Sequence, residues 1–462
     1  MKTNMINILL TVIIAVNLNC SEQEDCHLIK STDTISVEMM KQDFEFTLQK
    51  LESIHPLTVN GCSDEQKEII KDIRKEIKKP LKKREFEFLI NRLFYTFHDA
   101  HTNLWFDWRT GISLPILWLK NGMFILKFND NSKYYKYFIH NRFTNLQTSN
   151  FQNGDKIISI GDKSVECIIN ELKQIICTEN YSFIKLMGQD VLISRSYLDF
   201  YNLIHNDSVK ITIERNHEII ETKIPVVKLG QRLKDKKWIE YSIDNINDFA
   251  ILNLKQCIFD STYKATLRKF FKEANENNIN NVILDLRVND GGDSQVVAEF
   301  IRYFDIDDFI WYGANVRYSP DVRAITKESE FGYKHFPPYL FKNNRVSAEL
   351  VFKGNLFVLT NKNTFSSANM FAVIIKDNNI GKIVGESTGN KPTCYGNPLN
   401  FMMPNSEIYF RVSIKEFLRP NSKANSEDSL YPDIEVYTTI DDVINDKDTQ
   451  LEKIVELLRN KE

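Results

Sequence analysis

The chain has 462 residues, with 59 lysine and arginine residues against 62 aspartate and glutamate residues, and a formal net charge of −3. This balance gives no electrostatic reason to expect a nucleic-acid partner, and 42% hydrophobic content with 12% aromatic residues excludes a disordered chain. The length predicts two or three domains.

The first 20 residues form a targeting segment. Lys2 supplies positive charge at its start, and the apolar run over residues 8–16 is too short to span a bilayer. Cys20 resembles the cleavage point of a bacterial lipoprotein. We therefore expect residues 1–20 to be a signal peptide, with a lipid on Cys20 as the favoured form of export and simple secretion as the alternative. The expected location is the bacterial cell envelope, either anchored to the membrane or secreted to the periplasm.

Residues 21–110 are expected to form an N-terminal helical region. A capping box that begins at Ser63 starts one helix, and Pro80 ends it. A second helical pattern over residues 86–97 leads the chain to His101, whose imidazole suits general-base catalysis. The structural alternative is a histidine that caps this helix.

Residues 111–235 are expected to be rich in strands. A tight turn at Asn153 and Gly154 leads into an alternating strand. From residue 236 to the end, strands and helices alternate, which predicts a layered α/β core.

Two turns of this core have residues suited to chemistry. The first, at residues 285–292, follows a short apolar strand and ends in Gly291 and Gly292. Paired glycines let backbone N–H groups approach a substrate oxygen closely, as the oxyanion of an acyl-transfer reaction requires. Either glycine is a candidate donor.

The second turn contains Ser366 and is the most informative feature of the chain. It follows the apolar strand at residues 356–360 and precedes a helical pattern. The free N–H groups and dipole of a helix N-terminus favour developing negative charge, and open α/β sheets place their chemistry at such junctions. We predict that Ser366 is a nucleophile and that the N–H of Ser367 is a second oxyanion donor.

Two side chains are candidates for the base that a nucleophilic serine needs. Lys391 lies 25 residues after Ser366, beyond a second short strand. A lysine activates a serine only when its amine is neutral, which requires desolvation or pressure from like charge. His101 is the other candidate. A surface lysine is the structural alternative for Lys391.

Taken together, these segments resemble the carboxyl-terminal processing (tail-specific) family of serine peptidases, which includes tricorn-like relatives. Four stretches match in the family's order: Asp285–Gly292, Thr364–Asn369, Gly385–Lys391 and Tyr431–Ile434. Asp99–Thr102 and Ile54–Pro56 are similar to further landmarks, so the resemblance covers most of the chain. It implies Ser366 as the nucleophile, Lys391 as the general base, and an oxyanion hole from the glycine turn and Ser367.

The resemblance also implies the fold. Residues 236–462 would form a crotonase-like or Clp-protease-like superhelix of ββα units. The strand-rich region resembles part of the PDZ-like module of the family, and a complete module captures a peptide's terminal carboxylate with backbone N–H groups. The glycine-rich loop expected for this role is not found over residues 118–145. A substrate-facing cap without end recognition is the alternative.

The chain departs from the family pattern at two positions near Lys391. Asn390 stands where many members have a second glycine. Tyr395 stands where the members with a Ser-Lys pair usually place a glutamine that orients the lysine, so Tyr395 is the candidate base-orienting residue. Tricorn-like members instead use a histidine from the upstream segment, which His101 matches. We rank Lys391 first and His101 as the alternative base.

The sequence thus predicts an exported serine endopeptidase that hydrolyses polypeptides. No metal or organic cofactor is expected, because the eight histidines are scattered along the chain. The alternative is a catalytically inactive surface binding protein on a protease scaffold, since a lysine that is not oriented stays protonated. No nucleic-acid partner is expected, and the oligomeric state is left open.

Overall fold

The computed structural model describes residues 33–105, 109–127, 150–229 and 237–460. The predicted signal peptide and Cys20 lie outside these ranges. Over the described residues, no helix is both long and apolar enough to cross a bilayer. The α-helices in these ranges are α1 (Val37–Ile54), α2 (Asp64–Glu76), α3 (Lys83–Tyr95), α4 (Val165–Ile175), α5 (Tyr181–Ile193), α6 (Arg195–Phe200), α7 (Ser261–Glu276), α8 (Gln295–Ile301), α9 (Pro320–Thr326), α10 (Ser367–Asp377), α11 (Ile440–Ile444) and α12 (Thr449–Arg459).

Two short strands pair beside the N-terminal helices α1, α2 and α3. They are β1 (Thr34–Ile35), which precedes α1, and β2 (Leu81–Lys82), which precedes α3. The predicted capping box of α2 is confirmed, because Ser63 and Gln66 exchange hydrogen bonds between side chain and backbone. The apolar faces of these helices share one core with residues 399–414 of the catalytic region. The helical region is therefore packed directly onto the C-terminal part of the chain.

The described residues between 110 and 229 form a second sheet with a hydrophobic core of its own. This sheet has the spatial order β3, β10, β9, β6, β5, β4, with β7 beside β6 and β8 beside β9. The strands are β3 (Thr110–Ile112), β4 (Ile116–Leu119), β5 (Gly122–Ile125), β6 (Lys156–Ile160), β7 (Lys163–Ser164), β8 (Ile204–His205), β9 (Ser208–Arg215) and β10 (Glu218–Lys228). Three helices, α4 to α6, pack against this sheet, so the region is mixed where the sequence predicted mainly strands.

The catalytic core is built on a six-stranded sheet, as the predicted α/β class requires. Its spatial order is β11 (Ile239–Asp244), β12 (Phe249–Leu254), β13 (Asn281–Asp285), β18 (Asn355–Thr360), β19 (Lys382–Gly385) and β22 (Ile434–Glu435). The first pair is antiparallel and the others are parallel. Because β13 and β18 are neighbours, their carboxyl ends bring the two predicted turns to the same edge of the sheet.

A four-stranded antiparallel sheet closes one side of this edge. Its spatial order is β16 (Gly332–Phe336), β15 (Gly313–Tyr318), β21 (Tyr409–Leu418) and β20 (Cys394–Met402). A separate pair consists of β14 (Asp308–Trp311) and β17 (Tyr339–Lys342). The segment at Asn103 and Leu104 pairs with the start of β21, which fixes the loop that contains His101 beside the core.

The C-terminal residues form two helices, α11 and α12. The break lies before Asp448, whose carboxylate accepts hydrogen bonds from the buried Arg287 at 2.6 and 2.8 Å. Asp285 pairs with the same guanidinium at 2.7 Å. A buried arginine needs such partners, so the ion pair with Asp448 anchors the C-terminal segment beneath the glycine turn.

Candidate active site

Ser366 lies in the turn between β18 and α10. The turn is closed by its own side chains, since Thr364 Oγ1 accepts a hydrogen bond from the N–H of Asn361 at 3.1 Å. The same hydroxyl donates to the carbonyl of Leu286 at 3.0 Å. Leu286 belongs to the glycine turn, so this hydrogen bond ties the two turns together.

The backbone of Ser366 is strained. Its φ of 53° and ψ of −124° lie outside the regions that residues with a Cβ normally adopt. Such a conformation costs about 1–3 kcal/mol and needs support from its surroundings. Asn390 gives this support, because its Oδ1 accepts the N–H of Ser366 at 2.5 Å and its side chain is fully buried. The amide nitrogen of Asn390 is buried with no hydrogen-bond partner among the described residues.

His101 contacts the hydroxyl of Ser366 directly. Its Nε2 lies 3.1 Å from Ser366 Oγ, and only 5% of the residue is exposed. The imidazole stacks on the ring of Phe365 at 4.7 Å between centroids, and Phe365 stacks in turn on Phe183 of α5 at 4.8 Å. These stacked rings fix the plane of the histidine so that Nε2 faces the serine.

Asp99 is the buried carboxylate beside this histidine. Its Oδ1 accepts the backbone N–H of His101 at 2.8 Å and lies 3.8 Å from the ring Nδ1. Its Oδ2 accepts hydrogen bonds from Ser413 Oγ at 2.6 Å and contacts Nε2 of His55 at 3.2 Å. Burial alone would raise the pKa of Asp99, but the contacts with His101 and His55 outweigh it and lower this pKa. Asp99 is therefore an anion at neutral pH.

Two backbone N–H groups beside Ser366 have no hydrogen-bond partner within the described residues: those of Gly292 and Ser367. The N–H of Gly291 is not free, because it donates to Asn289 Oδ1 at 2.9 Å. Of the two glycines predicted as donors, Gly292 thus keeps its N–H available and Gly291 does not. The hydroxyl of Ser367 donates to the carbonyl of Gly292 at 2.7 Å, which sets the two donors side by side.

Gly291 has a steric role instead. A Cβ at this position would lie 2.6 Å from the Cβ of Ser366 and 3.0 Å from the nitrogen of Ser367. Its φ of 106° also disfavours any side chain. Gly291 therefore keeps open the space in front of the nucleophile.

Lys391, which the sequence analysis ranked first as the base, makes no hydrogen bond to Ser366. Both residues are described, and the described partner of the Ser366 hydroxyl is His101. The carbonyl of Lys391 accepts a hydrogen bond from Asn369 Nδ2 at 3.2 Å, while its charge acts on Glu179 and Cys394. The structure thus brings together Ser366 and His101, and it leaves the amine of Lys391 outside this pair.

Tyr395, the candidate for orienting Lys391, is not hydrogen-bonded to it among the described residues. Its ring instead packs on the imidazole of His55, with centroids 4.5 Å apart. Since His55 contacts Asp99, the tyrosine supports the histidine side of the site.

Glu179 is an unexpected neighbour of the site. Both of its carboxylate oxygens are buried and lack a hydrogen-bond partner in the described part of the chain. Burial raises its pKa to about 8, with the negative charge of Asp99 as the next contribution, while Lys391 acts in the opposite direction. Glu179 is therefore mainly protonated at neutral pH.

Sequence reasoning named His55 and Asp99 only as parts of motifs, and it assigned no role to Ser413, Phe365 or Glu179. The position of Asp99 two residues before a histidine was the available signal. Ser413 and Glu179 gave no signal, because each is separated from His101 by a long stretch of chain and meets it only through packing.

No group of three or more histidine, cysteine, aspartate or glutamate residues in the described ranges is arranged to hold a metal ion. The five described cysteines, Cys62, Cys167, Cys177, Cys257 and Cys394, form no disulfides. Burial raises the pKa of the Cys394 thiol well above its ordinary value, so this cysteine is no competing nucleophile.

A buried histidine on a serine hydroxyl, beside free backbone N–H groups at the edge of an α/β sheet, defines a serine hydrolase. Residues 248–436 match the family described as Peptidase family S41. The matched segment contains Ser366 and the core strands from β12 to β22, and the chain is a serine peptidase.

Comparison with solved structures agrees on the fold. The structure of mature CPAF complexed with lactacystin is 13% identical, with a TM-score of 0.67 over 92% of this chain and 99% of that chain. A second structure of mature CPAF is 12% identical, with a TM-score of 0.63 over 91% and 96% of the two chains. No curated protein matches the sequence.

Proposed function

We propose that this protein is an exported serine endopeptidase in which Ser366 is the nucleophile and His101 is the general base. The observation that carries the proposal is the 3.1 Å contact between His101 Nε2 and Ser366 Oγ. This distance is within the range that a general base needs, and an imidazole can serve as a base without the desolvation that a lysine requires.

In the first step, His101 Nε2 takes the proton of Ser366 as Oγ forms a bond to the scissile carbonyl carbon. The carbonyl oxygen becomes an oxyanion beside the free N–H groups of Gly292 and Ser367. His101 then gives its proton to the departing amine as the C–N bond breaks, which leaves an acyl-enzyme. Water repeats the sequence with the same base, releasing the acid and restoring the serine.

Two residues support these steps without touching the substrate. The anion of Asp99 stabilises the imidazolium that forms, with its Oδ1 3.8 Å from Nδ1. Catalytic contacts of this kind often shorten only when substrate binds. Asn390 holds the strained backbone that points the Ser366 hydroxyl at His101.

The proposal includes export through residues 1–20 and a lipid on Cys20. It rests on the charged start of this segment, the short apolar run and the cysteine that follows. Retention of a Cys20→Ala protein in the detergent phase of a two-phase partition, to the same extent as the original chain, would contradict the lipid anchor.

The catalytic proposal is tested with the Ser366→Ala protein and an unfolded polypeptide substrate. We expect hydrolysis to fall by about 10⁴-fold or more. Ser208→Ala is the matched control. The hydroxyl of Ser208 donates its one described hydrogen bond to the carbonyl of His205, on the sheet that contains β8 and β9. Full hydrolysis by the Ser366→Ala protein would overturn the assignment.

A further inference from the structure

An exposed aromatic surface lies next to the catalytic loop, at the far end of the β20–β21 hairpin. Its exposed members are Trp105, Tyr409 and Met402, with 55%, 44% and 44% of their surface accessible. Arg411 is partly buried among them, and its guanidinium lies over the Trp105 ring, 5.6 Å from the centroid. We call these four residues the arginine platform.

The platform is on the same side of the sheet as the catalytic histidine. Successive residues of a strand point to opposite faces, so Phe410 points away from Tyr409 and Arg411. Phe410 packs into the core shared with the N-terminal helices, which leaves the other face for the platform. A Cβ at Gly396, on this second face of β20, would lie 3.8 Å from His101 Cε1. The platform and His101 therefore share one surface.

Arg411 lacks the carboxylate partners that other buried arginines of the chain have. Arg287 is paired with Asp285 and Asp448, and Arg419 with two carboxylates of its own. Arg411 makes no ion pair with any described residue, and its Nε is buried without an acceptor.

This isolation has an energetic consequence. Burial lowers the pKa of Arg411, and the charge of Asp99 only partly offsets the effect. Desolvating a guanidinium without a partner is unfavourable. A bound anion would supply the missing acceptor.

The platform is within reach of a bound substrate. Trp105 is four residues from His101, so their Cα atoms are separated by at most about 14 Å, the length of four extended residues. The N–H of Trp105 is bonded to the carbonyl of Tyr409 at 2.9 Å, which fixes the tryptophan against β21. A polypeptide bound at Ser366 can thus place a residue close to its scissile bond in contact with Arg411.

We propose that Arg411 and Trp105 form a substrate subsite for an acidic side chain, aspartate or glutamate, about three to five residues from the scissile bond. This inference rests on the proposed peptidase function. A guanidinium binds a carboxylate through two parallel N–H donors, and the Trp105 ring covers the apolar stem of the same side chain.

An internal acidic residue fits better than a terminal carboxylate. The exposed surface continues beyond Arg411 to Tyr409 and Met402, which lie further along the hairpin from His101. A substrate chain can therefore bind the Arg411 guanidinium and continue over Tyr409 and Met402. A substrate that ended at Arg411 would leave Tyr409 and Met402 uncovered.

The test uses a cleavable peptide obtained by digesting an unfolded protein and resynthesised with a single Glu or Gln at each of six positions on either side of the cut. We expect Glu at one position to raise kcat/KM by about tenfold over Gln, because a hydrogen bond to a charged group is worth roughly that factor. Arg411→Met should abolish this preference, so that the Glu and Gln peptides are hydrolysed with the same kcat/KM. Arg411→Glu should transfer it to Lys at the same position.

Arg74→Gln is the matched control, since Arg74 is exposed on α2 and pairs with Glu45, and it should keep the preference. Trp105→Ala should weaken it without loss of fold, because Trp105 is largely exposed. No position with a Glu preference in the original protein, or a preference that survives in Arg411→Met, would overturn the subsite. A preference that disappears only when the peptide's C-terminus is amidated would also contradict it. Cleavage of the Gln peptides by the original protein but not by Ser366→Ala checks the peptidase function separately.

Discussion

His101 and Lys391 are two candidate bases in two different surroundings. His101 is stacked on Phe365, its backbone N–H is bonded to Asp99, and its Nε2 reaches the serine hydroxyl. Lys391 lies on the loop that supports the serine backbone, and its positive charge acts on the ionisation of Glu179 and Cys394. The Lys391 loop acts on the nucleophile through Asn390 instead.

Closeness along the chain and contact between functional atoms are therefore two separate properties of a pair of residues. The loop at residues 385–391 is near Ser366 because β19 is the neighbour of β18. A lysine on this loop therefore has its backbone near the nucleophile, but its amine makes no hydrogen bond to the serine hydroxyl. The histidine arrives from a distant part of the chain with its ring already oriented by packing.

Among the variants that distinguish the two surroundings, Asp99→Asn is expected to have the largest effect on activity. Loss of the anion should lower kcat/KM by about 10²- to 10³-fold, because the imidazolium formed in catalysis loses its buried counter-charge. Ser413→Ala is the control, since it removes one partner of Asp99 and keeps the charge. Equal losses in the two variants would show that Asp99 acts only through packing.

An intermediate effect is expected for Asn390→Gly, which removes the acceptor of the Ser366 N–H. We expect kcat to fall by about tenfold with KM nearly unchanged, since the strained backbone relaxes and the hydroxyl turns from His101. Asn390→Asp keeps an oxygen in the same place and should recover part of kcat. If Asn390→Gly changes KM and leaves kcat intact, the positioning role is wrong.

The smallest effect on activity is expected for Glu179→Gln. The consequence of this substitution is measured as stability instead. The pKa of Glu179 is raised from 4.5 to about 8, so the folded protein retains a proton that the unfolded chain releases. The original protein should therefore lose stability relative to the variant as pH rises from about 4.5 to 8. The difference should be absent near pH 4 and reach about 4–5 kcal/mol above pH 8, the free energy that corresponds to a pKa raised from 4.5 to about 8.

Chemical denaturation at both pH values measures the Glu179 effect, with the exposed Glu65→Gln as control. Activity at pH 7 should change by less than about threefold, because Glu179 does not contact Ser366 or the ring of His101 by a hydrogen bond. A variant that gains no stability at high pH would show that the carboxyl is ionised without penalty.

The sequence was sufficient for the strands and turns that make the catalytic edge. Continuous apolar runs bounded by turn residues predicted β13, β18 and β19 within a residue at each end. The strand-to-helix junction placed Ser366 at the start of α10, and the glycine pair marked the turn that lies beside it. These predictions depend on local patterns, which a single chain displays.

The choice of base depended on information that local patterns do not contain. His101 and Ser366 are far apart in the chain, and they meet because the segment at Asn103 and Leu104 pairs with β21. Likewise, the occupied N–H of Gly291 follows from the side chain of Asn289, which the glycine pair alone does not reveal. Side-chain direction at each of these positions is decided by tertiary packing.

The most direct test of the account is the rate at which a fluorophosphonate modifies Ser366, followed by mass spectrometry of the labelled peptide. This reaction needs the activated hydroxyl and no substrate subsite. We expect His101→Ala to slow the modification of Ser366 by about 10³-fold, and Lys391→Ala to change it by less than about threefold. Fast labelling of Ser366 in His101→Ala together with slow labelling in Lys391→Ala, or modification of a different residue in the original protein, would contradict it.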